Sequence, residues 1–252
     1  FEAVALVLEY QNYLLKERSL QPTTVNRRLA AIKALVKFAH RLHLCNYTLS
    51  EVKPSKIEPY RDTTGISKDA FRSLLAIPER NTLKGKRDYA ILRLLWDNAL
   101  RRAELVQSNI ADVNLERRTL LIQGKGQQQK QVVSLSQPTV KAIMDWLHER
   151  KELDCNQPLF ISLERNSLGH RLSGIGLYKL INKIGQRAGI SKKLSPHRIR
   201  HSSITAALDA SAGDVRRVQK FSRHADLNTL LVYDDNRQNV QGEISDLVSD
   251  LV

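Results

Sequence analysis

A polar stretch with two prolines and a glycine, residues 51–65, most constrains how this chain can fold. Its sequence is EVKPSKIEPYRDTTG, and Pro54, Pro59 and Gly65 leave too little uninterrupted chain for a helix or a strand. The stretch therefore predicts a linker between two domains. The predicted boundaries are residues 1–58 for the first domain, 59–64 for the linker and 65–252 for the second domain.

The first domain is predicted to be helical. In the segment TTVNRRLAAIKALVKFAH, apolar side chains recur at the spacing of one buried helix face. We expect Thr23 or Thr24, which follow Pro22, to cap this helix. The apolar positions are Val25, Leu29, Ile32, Val36 and Ala39, and the basic positions elsewhere on its surface are Arg27, Arg28, Lys33, Lys37 and Arg41.

The second domain combines helices with a small sheet. The segment ADVNLERRTLLIQGKGQQQKQVVSLS has two runs of leucine and β-branched residues around a loop of glycine and glutamine, which predicts a β-hairpin. Most of the remainder has helical periodicity. In TVKAIMDWLHERK, for example, Val140, Ile143, Met144 and Leu147 are expected to share a buried face. The predicted fold class is mainly α with a small antiparallel β-sheet.

The charge balance indicates the class of partner. With 40 Lys and Arg against 26 Asp and Glu, the formal net charge is +14. This excess favours a polyanionic partner, and nucleic acid is the first candidate because binding releases counterions from its phosphates. The basic positions of the first-domain helix are therefore predicted DNA contacts, with a solvated basic face as the alternative.

Cysteines and hydropathy exclude several other classes. Cys45 and Cys155 have the spacing of neither a disulfide framework nor a zinc site, and we expect both to be buried as small apolar residues. There is no run of about 18 apolar residues and no secretory signal, so we expect a cytoplasmic protein without a membrane partner. Because the sequence begins with Phe1 and not Met, we also expect further residues upstream.

The segment SPHRIRH places two histidines and an arginine on one helix face. After Ser195 and Pro196, which fit a helix start, His197, Arg200 and His201 are spaced i, i+3 and i+4. Histidines four residues apart can bind a metal, but a zinc hydrolase also needs an acidic base, and the arginines between these histidines repel a cation. We therefore predict no metal ligands. A phosphate, held by charge-assisted hydrogen bonds, fits the cluster better.

Further candidates come from elsewhere in the chain. A phosphodiester transition state spreads negative charge over several oxygens, so catalysis without a metal needs more fixed cations. Arg101 in NALRRAEL is one, with Glu104 three residues on to orient it. Lys125 in a GKG turn could deliver a proton. The segment RHADLNTLLVY adds His224 and the phenol of Tyr233, an available nucleophile.

In their order and approximate spacing, these segments resemble the tyrosine recombinase family of phage integrases and Xer-like site-specific recombinases. The resemblance runs from the N-terminal helices to the end of the chain. It implies a two-domain DNA clamp, with residues 1–58 as a helical, SAM-like core-binding domain and residues 65–252 as the catalytic domain. It also implies an enzyme without cofactor or metal, because a covalent 3′-phosphotyrosine intermediate conserves bond energy.

The resemblance assigns a role to each site residue. Tyr233 would attack the scissile phosphate, and strand exchange would pass through a four-way junction. Arg101 and Arg200 would clamp the non-bridging oxygens. The remaining implied roles are assistance to that clamp for His224, proton transfer from the tyrosine for His197, protonation of the leaving 5′ oxygen for Lys125, and support of the site for Glu104 and His201.

The same resemblance implies the partners. They are duplex DNA with specific recombination sites and further copies of the chain, as a dimer on each site and a tetramer in synapsis. Residues 239–252 are acidic and repeat apolar side chains, so they either pack on their own domain or, as the resemblance implies, are exchanged between protomers. The expected setting is a prokaryotic cytoplasm or nucleoid, with the gene on a chromosome, phage, plasmid or transposon.

One position departs from the family pattern. The family usually has Leu-Gly-His where this chain has Ser222-Arg223-His224, so we expect Arg223 either to contact a DNA phosphate or to alter activity. There are two alternatives to recombination: a sequence-specific DNA-binding protein with weak or no catalysis, which Arg223 would favour, and a type IB topoisomerase, which shares the chemistry. Arg102 competes with Arg101 for the clamp, and we choose Arg101 because it lies three residues before Glu104.

Overall fold

The structure is a computed structural model that describes residues 2–56, 65–124, 126, 129–150, 154–231, 245 and 247–251. The chain divides into two compact units, Phe1–Asp62 and Thr63–Val252, here called unit 1 and unit 2. The predicted linker, residues 59–64, lies outside the described residues.

Unit 1 is helical. It contains α1 (Glu2–Asn12), which continues into a π-helical turn (Tyr13–Glu17), and α2 (Pro22–Arg41). On the predicted apolar face of α2, Val25 and Leu29 are buried while Ile32 and Val36 are partly buried against them. The small core of the unit consists of Leu14, Val25, Leu29, Leu49 and Val52.

The start of α2 differs from the prediction. Its N-cap is Gln21, and Pro22 occupies the first helical turn, so Thr23 and Thr24 already lie inside the helix. The fixed φ of proline suits a first turn, where its missing N–H removes no hydrogen bond. The helix therefore begins about two residues earlier than a threonine cap would place it.

Unit 2 holds most of the chain. Its helices and strands are α3 (Lys68–Ala76), α4 (Leu83–Asp97), α5 (Arg102–Gln107), β1 (Val113–Asn114), β2 (Thr119–Gln123), β3 (Lys130–Ser134), α6 (Gln137–Arg150), α7 (Gly174–Arg187), α8 (Pro196–Ala210) and α9 (Val215–Ser222). Serine or threonine hydroxyls accept a backbone N–H at the starts of four of these helices, as the local sequence favours. These caps are Ser67, Thr82, Ser173 and Ser195.

The sheet is antiparallel, in the order β1-β2-β3. Leu120 pairs with Val133, and Leu120 and Ile122 are buried on one face while the intervening Leu121 is more exposed. This alternation is the period of a half-buried strand. The expected hairpin corresponds to β2 and β3, and the sequence did not predict the short β1.

Helix α4 forms the centre of unit 2. Ala90, Ile91, Leu92, Leu94 and Leu95 on it are fully buried, because α6 and α8 pack against it. Apolar side chains on several sides of its second half make this part of α4 a core segment, while Lys84 in its first turn is exposed. The C-terminal end of α4 therefore lies deep within the unit, where Asn98 and Ala99 begin the turn into α5.

The fold class, mainly α with a small antiparallel sheet, is confirmed. Two side chains expected in the core are not there. Met144 is 50% exposed, because the buried stripe of α6 runs through Ile143 and Trp146, and Cys155 is exposed in a turn after α6. None of the described helices combines the length and apolar character that a membrane crossing requires.

Candidate active site

Arg101 and Glu104 form the first part of the site, at the start of α5. Arg101 is the N-cap residue of α5, and its backbone N–H donates to Glu104 Oε2 at 2.7 Å. Its side chain donates from Nη1 to Glu104 Oε1 at 2.6 Å. The Arg101 side chain remains 33% exposed, whereas Glu104 is 2% exposed. The carboxylate thus fixes an arginine whose charge still faces outward.

Arg200 contributes a second guanidinium from α8. The Ser195 hydroxyl caps this helix by accepting the Arg198 N–H, and Arg200, in the second turn, points inward, where it is 2% exposed. Arg200 donates from Nη1 to the carbonyl of Ala99 and from Nη2 to the carbonyl of Ser222. These bonds join α8 to the turn after α4 and to the end of α9.

His224 lies beside Arg200. Its Nε2 is 3.3 Å from Arg200 Nη2, and its Nδ1 is 3.0 Å from the hydroxyl of Ser222. Because a guanidinium can only donate, Nε2 must accept, so the ring proton is on Nδ1 and is donated to Ser222. The Ser222 hydroxyl can then donate to the carbonyl of Gln219, 3.3 Å away. The tautomer of His224 is thus set by its neighbours.

His197 and His201 form an imidazole pair on the same face of α8. Their Nε2 atoms are 2.6 Å apart and their rings meet edge to face. One ring must donate and the other must accept across this contact, so the pair cannot carry two protons there. His197 is the more exposed of the two.

Burial and the neighbouring cations keep these imidazoles neutral. Burial, together with the charges of His197 and Arg200, lowers the pKa of His201 to about 3. Burial and the charges of Arg200 and Arg101 lower the pKa of His224 to about 4. Burial and the same two arginines also lower the pKa of His197. At neutral pH all three rings are uncharged, so the positive charge of the site comes from arginine.

Arg223 is placed differently from the prediction. The sequence predicts that it either contacts a DNA phosphate or alters activity; in the structure its side chain is 12% exposed and points into unit 2. Nη1 donates to the carbonyls of Asn98 (3.0 Å) and Phe221 (2.8 Å). Nη2 donates to the carbonyl of Ala99 (3.0 Å) and to Glu104 Oε2 (3.1 Å). The predicted surface contact is replaced by internal bonds, because four acceptors converge on the planar guanidinium.

The backbone at Arg223 explains why a glycine suits this position. Arg223 is the C-cap residue of α9 and has φ 58° and ψ 38°, the left-handed conformation in which many helices end. Glycine adopts this conformation without a Cβ penalty. In this chain the arginine adopts it instead, and its carbonyl accepts from Arg101 Nη2 at 2.9 Å.

A small apolar cluster fixes the segment that leads towards Tyr233. Leu230 is fully buried against Ile204, Leu208, Val218 and Ala99. It belongs to a helical turn over residues 228–231. Residues 232–244 lie outside the described part of the chain, and Tyr233 is among them; Lys125, in the loop between β2 and β3, lies outside it as well.

Strand β3 borders the site. A cavity of about 640 Å³ lies beside the end of α9, and its lining includes Val132 and Ser134 of β3 together with Asn98, Arg223 and His224. The hairpin whose loop contains Lys125 therefore lines the same depression as Arg223 and His224.

The predicted basic positions of unit 1 divide into two groups. Arg27, Arg28, Lys37 and Arg41 are exposed on α2. Lys33 is only half-exposed, and its Nζ donates to the carbonyl of Val52 at 2.9 Å. Lys33 is therefore committed to a contact inside unit 1, because the chain after α2 folds back over that part of the helix.

The C-terminal segment is described only at residues 245 and 247–251. Leu247, Val248 and Leu251 are exposed there, and the rest of the predicted helix 239–252 lies outside the described residues.

Three residues that matter to the site were not identified from the sequence. The carbonyls of Asn98, Ala99 and Ser222 hold the arginines of the cluster. Ala99 has φ 44°, which is unusual for a residue with a Cβ. Backbone carbonyls leave no compositional signal, so only the arginines that they hold could be found by motif.

The arrangement is suited to an anion. Arg101 comes from α5, Arg200 from α8 and His224 from the chain after α9, and Glu104 is the carboxylate among them. Preorganised guanidinium groups stabilise charge that develops on phosphate oxygens without reorganising during the reaction. Among the described residues, no group of three or more His, Cys, Asp and Glu side chains could hold a metal ion.

Comparisons with known proteins agree on one kind of relative. Residues 65–239 match the model of the phage integrase family. Over 252 residues the chain is 50% identical to tyrosine recombinase slr0733 of Synechocystis sp., covering all of this chain and 80% of that protein. It is 30% identical over 229 residues to tyrosine recombinase XerC of Syntrophus aciditrophicus, covering 87% of this chain and 71% of that one.

A solved structure has the same fold. The XerH site-specific recombinase bound to palindromic difH substrate, in a post-cleavage complex, superposes with a TM-score of 0.75 at 21% identity. The match covers 96% of this chain and 72% of that chain.

Proposed function

This chain belongs to the phage integrase family and is a tyrosine-type site-specific recombinase, and we propose that Tyr233 is its nucleophile. The observation that carries the proposal is the convergence of Arg101, Arg200 and His224 at one short segment, residues 222–224. The substrate is a phosphodiester of duplex DNA. The net charge of +14 supports this polyanionic partner.

The first step is a transesterification. The phenol oxygen of Tyr233 forms a bond to the scissile phosphorus while the bond from phosphorus to the 5′ oxygen breaks. The phenol proton passes to His197, whose lowered pKa leaves it neutral and able to accept. Lys125 donates a proton to the leaving 5′ oxygen. The products are a 3′-phosphotyrosyl linkage and a free 5′-hydroxyl.

The arginines stabilise the charge of this step. Arg101 offers the exposed part of its guanidinium to the non-bridging oxygens. Arg200 stabilises the charge from the interior of unit 2, because its low exposure to water strengthens its electrostatic interaction with a phosphate. The contact with His224 fixes its guanidinium. Attack by the 5′-hydroxyl of a second duplex reverses the chemistry and rejoins the strands. Because the number of phosphodiester bonds is conserved, no external energy source enters the cycle.

The position of Leu230 supports Tyr233 as the nucleophile. Leu230 packs on Ala99, the residue whose carbonyl holds Arg200. Tyr233 follows Leu230 by three residues in the sequence, and three residues of extended chain span at most about 11 Å. The chain can thus deliver the phenol to the arginine cluster.

The placement of Arg223 bears on the non-catalytic alternative. A bulky arginine in place of glycine was the feature that favoured a DNA-binding protein without catalysis. Its side chain is turned away from the surface and bonded to Glu104 and three carbonyls. Because these internal bonds occupy the side chain, this feature no longer favours loss of activity.

Site recognition and assembly complete the proposal. Unit 1 serves as the core-binding domain, through the exposed Arg27, Arg28, Lys37 and Arg41 of α2. The two units form a clamp on DNA, with a dimer on each recombination site and a tetramer at the four-way junction. The segment 239–252 is exchanged between protomers, which agrees with the exposure of Leu247, Val248 and Leu251.

The test is trapping of the covalent intermediate. The chain is incubated with a nicked duplex bearing its recombination site, from which the cleaved fragment is lost so that the reaction cannot reverse. The wild type should yield a protein–DNA adduct that resists denaturation, and Tyr233→Phe should yield none. Tyr47→Phe, a change of equal size at an exposed tyrosine of unit 1, is the matched control and should react as the wild type does. Tight binding without any adduct from the wild type would contradict the proposal.

A further inference from the structure

Arg223 connects three parts of unit 2 through one guanidinium. Nη1 contacts the carbonyls of Asn98 and Phe221, and Nη2 contacts the carbonyl of Ala99 and the carboxylate of Glu104. These acceptors belong to the end of α4, the end of α9 and the first turn of α5. A glycine at this position could supply the backbone conformation but none of these bonds.

The backbone of Arg223 is joined to the clamp as well. Its carbonyl accepts from Arg101 Nη2, while the preceding carbonyl, of Ser222, accepts from Arg200. The side chain thus anchors the loop whose two carbonyls hold the two clamp arginines. Movement of this loop would shift both guanidinium groups at once.

The charges around Glu104 also connect Arg223 to Arg101. Glu104 is bonded to Arg101 and would offset its positive charge at the phosphate if it had no other cation. Arg223 is the second cation on that carboxylate. Burial raises the pKa of Glu104, but the charge of Arg223 and the hydrogen bonds and charge of Arg101 outweigh it, so the pKa lies below its ordinary value. With two arginines on one carboxylate, the triad keeps a net positive charge that faces the substrate through Arg101.

We propose that Arg223 is a positioning residue for the cleavage reaction. Arg223 fixes the position of Arg101 through Glu104 and through the left-handed end of α9. The inference rests on the proposed function, since it concerns the rate of the same chemical step. Arg223 does not contact DNA: its side chain is 12% exposed and its two terminal nitrogens each serve two protein acceptors.

This role predicts a division between binding and chemistry. Arg223→Gly keeps the left-handed backbone at the lowest cost and removes the guanidinium. The rate of adduct formation at saturating protein should fall by about 10- to 100-fold, because small misplacements of a charged group have effects of this size. Affinity for the same duplex should stay within about twofold, since no phosphate contact is lost.

Two controls separate positioning from a loss of folding or of charge. Arg217→Ala removes an equal charge from the exposed side of the same helix and should leave the rate unchanged. Arg223→Lys should recover part of the rate, because an ammonium can pair with Glu104 but cannot span four acceptors. Thermal unfolding of each variant shows that unit 2 remains folded at the assay temperature.

A double-mutant cycle with Glu104→Gln tests the route of the effect. If Arg223 acts through Glu104, Arg223→Gly should lower the rate by a smaller factor in the Glu104→Gln background than in the wild type. Equal factors in the two backgrounds would overturn the inference. So would a wild-type rate for Arg223→Gly, or a loss of affinity with the rate at saturation unchanged.

The outcomes also distinguish this inference from the proposed function. If the wild type forms the adduct and Arg223→Gly forms it equally fast, only the positioning role fails. If the wild type forms no adduct on its site, the proposed function fails and the positioning role fails with it.

Discussion

Arg101 and Arg200 are held by consecutive carbonyls of one short segment. Arg101 donates to the carbonyl of Arg223 at 2.9 Å, and Arg200 donates to the carbonyl of Ser222. The two arginines come from different helices, α5 and α8, yet both are fixed by the end of α9. The geometry of the clamp therefore depends on where α9 ends.

The two arginines should differ in their effect on stability. Arg200→Ala removes a fully buried side chain and takes the guanidinium donor from the carbonyl of Ser222, which costs about 1–3 kcal/mol for the acceptor left unsatisfied, whereas the carbonyl of Ala99 still accepts from Arg223. Arg101→Ala removes a one-third exposed side chain and leaves Glu104 paired with Arg223, so its cost should be smaller. Both changes should slow adduct formation by about 100- to 1,000-fold.

Thermal unfolding and single-turnover cleavage of the two variants measure this difference. Lower stability of Arg101→Ala than of Arg200→Ala, or retention of the wild-type cleavage rate by either, would count against the clamp geometry.

Acid should lower the free energy of unfolding of unit 2, because some of its histidines have lowered pKa values in the folded chain. The ordinary pKa of histidine is about 6.5, whereas His224 titrates near 4 and His201 near 3 in the folded chain. Between pH 6.5 and 4 the unfolded chain binds protons on these residues that the folded chain does not. The free energy of unfolding should therefore be fully retained above pH 6.5 and decrease as the pH falls towards 4.

Urea unfolding at pH 7 and pH 5 checks this, with fluorescence of Trp96 and Trp146, the two tryptophans of the chain, reporting on unit 2. His224→Asn should reduce the loss of stability at pH 5. His148→Asn, at an exposed position of α6, is the control and should leave the loss unchanged. An unchanged pH dependence in His224→Asn would contradict the assignment.

Lys37 and Lys33 of α2 should have different roles, Lys37 as a DNA contact and Lys33 as a structural residue. Lys37→Ala should weaken DNA binding and reduce the slope of log K against log salt by about 1, the value for one phosphate contact. Lys33→Ala should change the slope less and instead weaken unit 1, because Lys33 donates to the carbonyl of Val52.

Binding isotherms over a range of salt concentrations give the slopes, and amide hydrogen exchange in α2 reports the stability of unit 1. The reverse pattern, with Lys33 controlling the slope and Lys37 the exchange rates, would show that the two roles are interchanged.

The sequence predicts the elements of this fold better than the bonds between them. Val25 and Leu29 recur at helical spacing because one face of α2 must be buried, so the helix can be read from the pattern. Met144 fits the same spacing in α6 but is exposed, because the pattern does not say which face a neighbouring helix covers.

The site shows the same limit. Arg101, Arg200 and His224 could be selected because phosphate chemistry requires their side chains. The inward direction of Arg223 could not, since it depends on the carbonyls of Asn98, Ala99 and Phe221 meeting in space. Phe221 is distant in the chain from the adjacent Asn98 and Ala99, and a backbone carbonyl leaves no signal in the sequence.

The most direct test of the account is to identify the atom that holds the DNA. The adduct trapped on a nicked site can be digested with protease and nuclease and the linked peptide sequenced by mass spectrometry. The account predicts a single modified residue, Tyr233, that carries the 3′-phosphate of the cleaved strand. A 5′-phosphate linkage, or a linkage to any other residue, would contradict it.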